Sequence, residues 1–178
     1  MKLVILDRDG VINYDSAEFI KKPEEWKPIP GSLEAIARLN QAGWRVIVAT
    51  NQSGVGRGLL DMATLNAIHD KMHKALAHFG GRIDAVFYCP HAQDAACGCR
   101  KPKPGLFEDI ARRFNVDLAG VPCIGDSLRD LEAAVRVDAL PILVLTGKGR
   151  QTAAAAKGLP ANTRIYADLS EAVKSIAP

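Results

Sequence analysis

Asp7 and Asp9 stand two residues apart in the run Asp7-Arg8-Asp9-Gly10-Val11, directly behind the apolar stretch Leu3-Val4-Ile5-Leu6. In extended chain, residues i and i+2 project to the same side, so both carboxylates can reach one site. Two carboxylates held close either share a proton or bind a cation, because their repulsion otherwise raises one pKa. Read alone, the pair serves equally well as the acids of a turn or helix cap. Asp126 and Asp130 follow another apolar run and bring further carboxylate oxygen to the same edge. Hard oxygen ligands with open positions suit Mg²⁺.

A magnesium site needs an anion to act upon. Thr50 and Asn51 offer a hydroxyl and amide donors of the kind that hold a phosphoryl oxygen, and Gln52 and Ser53 extend that polar run. Arg100, Lys101 and Lys103 lie in Cys99-Arg100-Lys101-Pro102-Lys103-Pro104-Gly105, ahead of a helical pattern. A lysine there can neutralise phosphoryl charge, and a helix start adds backbone N–H groups. A solvated basic loop is the plainer reading, but the two prolines stiffen the backbone that presents these charges. Arg57, in a glycine-rich loop, is a further candidate substrate contact.

Three of the four cysteines fall within eleven residues, Cys89 to Cys99. Cys89 and His91, with Cys97 and Cys99, bracket a short loop and supply three thiolates and one imidazole, a closed tetrahedral set for structural Zn²⁺. The spacings are tighter than those of zinc fingers, and the clustering makes buried unpaired cysteines the weaker alternative. The loop ends at Arg100-Lys101, so its expected purpose is to fix those cations in place.

The elements that must position these residues can be read from periodicity. Strand-like runs at 3–6, 45–49, 85–88, 121–124, 142–145 and 164–166 alternate with helical patterns. Ser32 is a plausible N-cap of a helix over 32–41; Leu65, Ile68, Met72, Leu76 and Phe79 share one face of a longer helix. Further helices are expected over 106–114, 128–136 and 170–176. Continuous apolar strands with crossover helices predict an α/β fold: a Rossmann-like parallel sheet in three layers, with helices on both faces. No linker or repeat interrupts the chain, which reads as one domain over 1–178. Ligands of such sheets bind beyond the carboxyl ends of the strands. Acids, hydroxyls, amides and metal ligands stand at those ends, where turn-forming residues alone would suffice.

Composition narrows the class. A net charge of +3 over 178 residues does not suggest a nucleic-acid stripe. No apolar run approaches the roughly 20 residues that cross a bilayer, and the first residues lack signal-peptide character. The expectation is a cytoplasmic protein, a monomer, with no nucleic-acid or membrane partner. His69, His73 and His78 read as surface residues, Cys123 as core, Trp26 and Trp44 as packing. Gly147-Lys148-Gly149 lacks the rest of a P-loop.

Four motifs, in order, resemble those of the haloacid dehalogenase-like superfamily: Asp7-Arg8-Asp9-Gly10-Val11, Thr50 after the second strand, Lys101, and Gly125 to Asp130. The resemblance covers roughly residues 1 to 150. It implies Asp7 as a nucleophile that forms an aspartyl-phosphate, and Asp9 as the acid that protonates the leaving oxygen and then activates water. It implies Mg²⁺ held by Asp7, the Asp9 backbone carbonyl and Asp126, with Asp130 in support. The zinc loop, with Asp7 to Asn13, Thr50 to Gly58 and Cys99 to Gly105, is similar to the branch that dephosphorylates heptose bisphosphate, and nearly as similar to the histidinol-phosphate phosphatases. Both lack a large cap domain. Members often carry Lys after the motif-four Asp, where this chain has Ser127, so a substrate-side cation is missing or comes from elsewhere. The implied partner is a small sugar bisphosphate, bound in part by Asn51, Gln52, Ser53, Arg57, Arg100 and Lys103. A phospho-accepting signalling domain is the alternative of another class; Asp9, which would promote hydrolysis of an acyl-phosphate, argues against it.

Overall fold

The computed structural model describes residues 1–155 and 157–178. Six strands, β1 (Leu3–Leu6), β2 (Arg45–Asn51), β3 (Ala85–Cys89), β4 (Pro122–Gly125), β5 (Leu140–Val144) and β6 (Arg164–Tyr166), form one sheet in the order β3-β2-β1-β4-β5-β6. Every pairing is parallel. The order reverses direction between β2 and β4, on either side of β1, and places the carboxyl ends of these three strands side by side.

Strand alternation divides the core between two faces. Val4, Leu6, Val46, Val48, Ile142 and Val144 point to one side. There they meet α1 (Ser32–Gln41), α3 (Met62–His78) and α7 (Leu169–Ile176) through Ile36, Leu65, Ile68, Met72 and Val173. Leu3, Ile5, Ile47 and Ala49 point to the other, against α4 (Gly105–Phe114) and α5 (Leu128–Val135) through Phe107, Ile110, Ala133 and Ala134. Removing one such side chain from water stabilises by about 1.5–3 kcal/mol. Two short helices, α2 (Ser53–Gly56) and α6 (Gly149–Ala153), sit just beyond β2 and β5.

Several boundaries differ from the sequence reading for local reasons. β2 runs on to Asn51, so Thr50 and Asn51 are strand residues whose register is set by pairing with β3. Gly31, not Ser32, caps α1, at φ 85°; Ser32 Oγ instead donates to the Val11 carbonyl at 2.8 Å. Phe79 leaves the buried face of α3 because the helix has ended before it, and its ring is exposed. Between β1 and α1 the chain makes a long excursion whose regular structure is a 3-10 turn, Pro23–Glu25; the described residues contain no separate cap domain. Among the described residues no helix is long and apolar enough to cross a membrane.

Candidate active site

The carboxyl ends of β1, β2 and β4 open into a cleft of about 220 Å³ lined by Asp7, Asp9, Thr50, Asn51, Gln52, Ser53, Arg100, Asp126, Arg129 and Lys148, with Asp15, Phe19 and Gln93 at its margin. Lys101 lies beneath it, 2 % exposed. Its ammonium reaches Asp130 Oδ1 at 2.7 Å and Asp7 Oδ1 at 3.2 Å and donates to the Ala49 carbonyl at 2.7 Å. Burial alone would lower the lysine's pKa; the carboxylates of Asp130 and Asp7 outweigh it and hold the ammonium well above its usual value. Lys101 is therefore a fixed positive charge.

Asp7 Oδ1 also accepts the Arg8 backbone N–H at 2.7 Å, so Oδ2 is the oxygen with no hydrogen bond among the described residues. Burial first, and then Asp130, push the Asp7 pKa up to about 7. Burial and the neighbouring Asp7 push Asp126 to about 8. Asp130 goes the other way: burial would raise it, but Lys101 and the Ser127 donors hold it below the usual carboxylate range. Two mutually repelling carboxylates under-compensated by protein cations are what a divalent ion would relieve. Oxygens of Asp7, Asp126 and Asp130 lie within 4.8 Å of one another, and this hard-oxygen set fits Mg²⁺. The backbone closes in around Asp126: a Cβ on Gly10 (φ 84°) would fall 2.0 Å from its Oδ2, and one on Gly147 (φ 55°) 2.2 Å away. Side chains at these two positions would displace the ligand.

Asp9 sits in a different field. Its Oδ1 accepts from Arg8 Nε and Asn13 Nδ2, each at 2.9 Å; its Oδ2 accepts from Arg8 Nη2 at 3.2 Å and Gln52 Nε2 at 3.0 Å. Burial would raise its pKa, yet the Arg8 guanidinium and these donors lower it. Thr50, 1 % exposed, accepts from Gln52 Nε2 at 2.9 Å and keeps its hydroxyl hydrogen for the cleft.

The cysteine cluster stands at the end of β3. Cys89 Sγ lies 3.4 Å from His91 Nδ1 and 3.8 Å from Cys97 Sγ, and His91 Nδ1 lies 3.2 Å from Cys99 Sγ. A tetrahedron with Zn–S bonds of about 2.3 Å has edges of about 3.7 Å, so these four atoms are already spaced as zinc ligands. The loop then delivers Arg100 and Lys101 to the cleft.

Not every residue expected to meet substrate lines the cleft. Lys103 is exposed and donates to the Cys97 carbonyl at 2.6 Å; the chain turns over 101–104, where the Lys103 N–H bonds the Arg100 carbonyl, and Lys103 sits against the zinc loop and not in the cleft. Arg57 is exposed outside the cleft, with its guanidinium 5.4 Å above the Phe19 ring. Asn51 and Gln52 line the cleft but spend their amides on Lys101's backbone and on Asp9, Thr50 and Arg8. Ser53 lines it from the start of α2.

Other residues were missed in the sequence. Arg129, in the first turn of α5, and Lys148, beyond β5, both line the cleft and bring cations where Ser127 brings none. Ser127 itself donates through Oγ to Asp130 at 2.8 Å. His69, expected at the surface, is buried and lies 3.1 Å from Arg8 Nη1. His73 and His78 are exposed, Cys123 and Trp26 buried, and Trp44 packs against the core.

The chain is similar to known proteins in sequence and in fold. The family model HAD-hydrolase-like matches residues 98–172, and polynucleotide kinase 3 phosphatase matches residues 2–127. The chain belongs to the haloacid dehalogenase-like phosphatases. It is 61 % identical to the D-glycero-beta-D-manno-heptose-1,7-bisphosphate 7-phosphatase of Bordetella bronchiseptica, over 99 % of this chain and 98 % of that one. To the Pseudomonas putida enzyme of the same name it is 53 % identical, over 99 % of each. The crystal structure of the B. bronchiseptica D,D-heptose 1,7-bisphosphate phosphatase, complexed with magnesium and phosphate, superposes with a TM-score of 0.97, covering 99 % of this chain and 98 % of that one. The corresponding protein of Burkholderia thailandensis, 54 % identical, gives 0.79 over 99 % and 98 %.

Proposed function

We propose that the chain is a Mg²⁺-dependent phosphomonoester hydrolase that removes the 7-phosphate of D-glycero-D-manno-heptose 1,7-bisphosphate, a step toward lipopolysaccharide heptose. The observation that carries the bisphosphate is a pair of guanidiniums. Arg100 and Arg129 both line the cleft, and neither is ion-paired among the described residues. Arg100 Nη1 is buried with no hydrogen-bond partner, and burial, then Arg129, lowers its pKa. Two facing cations and an orphaned buried donor call for an anion, and a phosphate accepts the guanidinium fork. Lys101 is already held between Asp7 and Asp130, so this second cation set suits a second phosphate. Relatives of the same name at 53–61 % identity over nearly the whole chain support the same reading.

In this reading Asp7 Oδ2 attacks phosphorus and the bond to the leaving oxygen breaks. Lys101 and the Thr50 hydroxyl offset the charge on the phosphoryl oxygens. Asp7 and Asp126, with the Asp9 carbonyl, would hold Mg²⁺, which would supply the charge that lets one anion approach another. Arg8 and the other donors keep Asp9 ionised without substrate; a dianionic substrate beside it raises its proton affinity, so it takes up a proton from water as substrate binds and passes that proton to the leaving alkoxide. As a carboxylate it then takes a proton from the water that hydrolyses the aspartyl-phosphate. The zinc loop is structural. The enzyme is read as a single-domain monomer, and a sugar-phosphate substrate fits a cytoplasmic location. Phosphate release from a panel of esters tests the assignment. Heptose bisphosphate should be turned over fastest; histidinol phosphate or a 3′-phosphorylated oligonucleotide turned over faster would replace it.

A further inference from the structure

Arg8 is a fully buried cation, 0 % exposed, and its one carboxylate partner among the described residues is Asp9. Two of its nitrogens, Nε and Nη2, grip Asp9; Nη2 also donates to Gln52 Oε1 at 3.3 Å. The third nitrogen, Nη1, points away from the cleft to His69 Nε2 at 3.1 Å. His69 lies on α3, sixty-one residues along the chain, and is itself buried. Arg8 can only donate, so Nε2 must offer its lone pair and the imidazole must be neutral. Burial, and then the Arg8 charge, hold His69 down at about 4, consistent with that form.

A guanidinium is planar, so fixing Nη1 fixes the plane in which Nε and Nη2 present their hydrogens. We propose that His69 is a positioning residue for the reaction: by bonding Arg8 Nη1 from behind, it sets the orientation in which Arg8 holds the Asp9 carboxylate toward the leaving oxygen. Asn13 and Gln52 bind Asp9 from the sides; His69 supplies the bracing from the rear, on the far side of Arg8 from the substrate. An unsatisfied buried guanidinium hydrogen would cost about 1–3 kcal/mol. Arg8 would turn to recover a partner and carry Asp9 with it. Displacements on the order of an ångström can cost about a hundredfold in rate.

The inference rests on Asp9 being the acid, and the test separates the two. His69→Leu and His69→Gln both refill the space, but only glutamine returns an acceptor to Nη1. Release of the leaving group is followed in a single turnover, before the base step, with heptose bisphosphate and with p-nitrophenyl phosphate. The first leaves as an alkoxide that needs a proton, the second as a stable phenolate that does not. We expect His69→Leu to slow release of the sugar by about tenfold or more and to leave nitrophenolate release within about twofold. His69→Gln should restore the sugar rate. Equal losses on both substrates, no loss on either, or no difference between the leucine and glutamine variants would overturn the role of His69. Asp9→Asn, run alongside, is the control. If it shows no selectivity for the alkoxide, the acid assignment itself fails, whatever His69 does.

Discussion

Asn51 clamps the backbone of Lys101: its Nδ2 donates to the Lys101 carbonyl at 3.1 Å and its Oδ1 accepts the Lys101 N–H at 3.0 Å. A residue fifty positions upstream, at the end of β2, thus sets where the ammonium between Asp7 and Asp130 can lie. Asn51→Ala should lower kcat roughly ten- to a hundredfold on every phosphate ester, as expected for a misplaced charge at the reacting centre. Steady-state kinetics on heptose bisphosphate and on p-nitrophenyl phosphate check this. A rise in KM confined to the bisphosphate would make Asn51 a substrate contact instead.

Asp7→Asn should remove essentially all turnover, because an amide cannot form the aspartyl-phosphate. Asp9→Asn should cost about a hundredfold or more, the usual range for loss of an acid–base group. Substantial phosphate release by purified Asp7→Asn would show that another residue attacks phosphorus.

The cation pair gives a prediction about selectivity. Arg100→Ala and Arg129→Ala should each lower kcat/KM for heptose bisphosphate by roughly ten- to a hundredfold, the worth of one charged hydrogen bond. A small monophosphate ester should lose far less. Equal losses on both substrates would place the guanidinium at the transferring phosphate.

Magnesium and pH should act on stability together. The usual unfolded carboxylate pKa is about 3.9, whereas burial and mutual repulsion raise Asp7 to about 7 and Asp126 to about 8. Through that window these two carboxyls bind more protons in the metal-free fold than in the unfolded chain. The contribution of these two groups to stability is full below their unfolded pKa and is lost as pH rises through about 7 and 8. A divalent ion replaces those protons and counters the loss. The rise in Tm on adding MgCl2 should therefore be larger at about pH 8.5 than at about pH 6. Thermal unfolding at the two pH values measures it, and an equal shift at both would rule out this coupling.

Purified without added metal, the chain should carry one zinc that resists mild chelation, separate from exchangeable magnesium. Cys99→Ala should lose it, lower Tm by at least about 3 °C, the equivalent of about 1 kcal/mol at this size, and lower kcat through Lys101. Elemental analysis beside thermal unfolding decides the point. A variant that keeps zinc, stability and rate would show that the cluster is incidental.

What the sequence revealed was the set of groups whose position follows from a strand end. Asp7, Thr50, Lys101, Asp126 and the cysteine loop stand beside apolar runs, and a parallel sheet has only one edge to which they can go. Lys148 obeys the same rule beyond β5, but the glycines around it drew attention to a phosphate loop that is not there. Arg129 gave no signal, since a charged residue one turn into a helix looks like any solvated face. Arg8 and His69 were hidden for a deeper reason. Burying a guanidinium is costly unless partners satisfy it, and those partners, Gln52 and His69, arrive from forty-four and sixty-one residues away. Lys103 was misplaced because spacing along Lys-Pro-Lys does not say which of the two lysines faces inward.

The position of β1 in the middle of the sheet has a consequence for how the protein is made. Its two neighbours are β2, which is synthesised soon after it, and β4, which begins only at Pro122. At ribosomal speed the interval after β1 is on the order of ten seconds. Once β3 has been made, the nascent half-sheet β1-β2-β3 carries a strand edge of Leu3, Val4, Ile5 and Leu6 with no partner until β4 follows, the kind of edge on which chains stick to one another. Asp126 arrives on the strand that covers that edge. Tight magnesium binding therefore becomes possible only once β4 has covered that edge, and metal affinity would distinguish chains that have passed this point from those stalled before it.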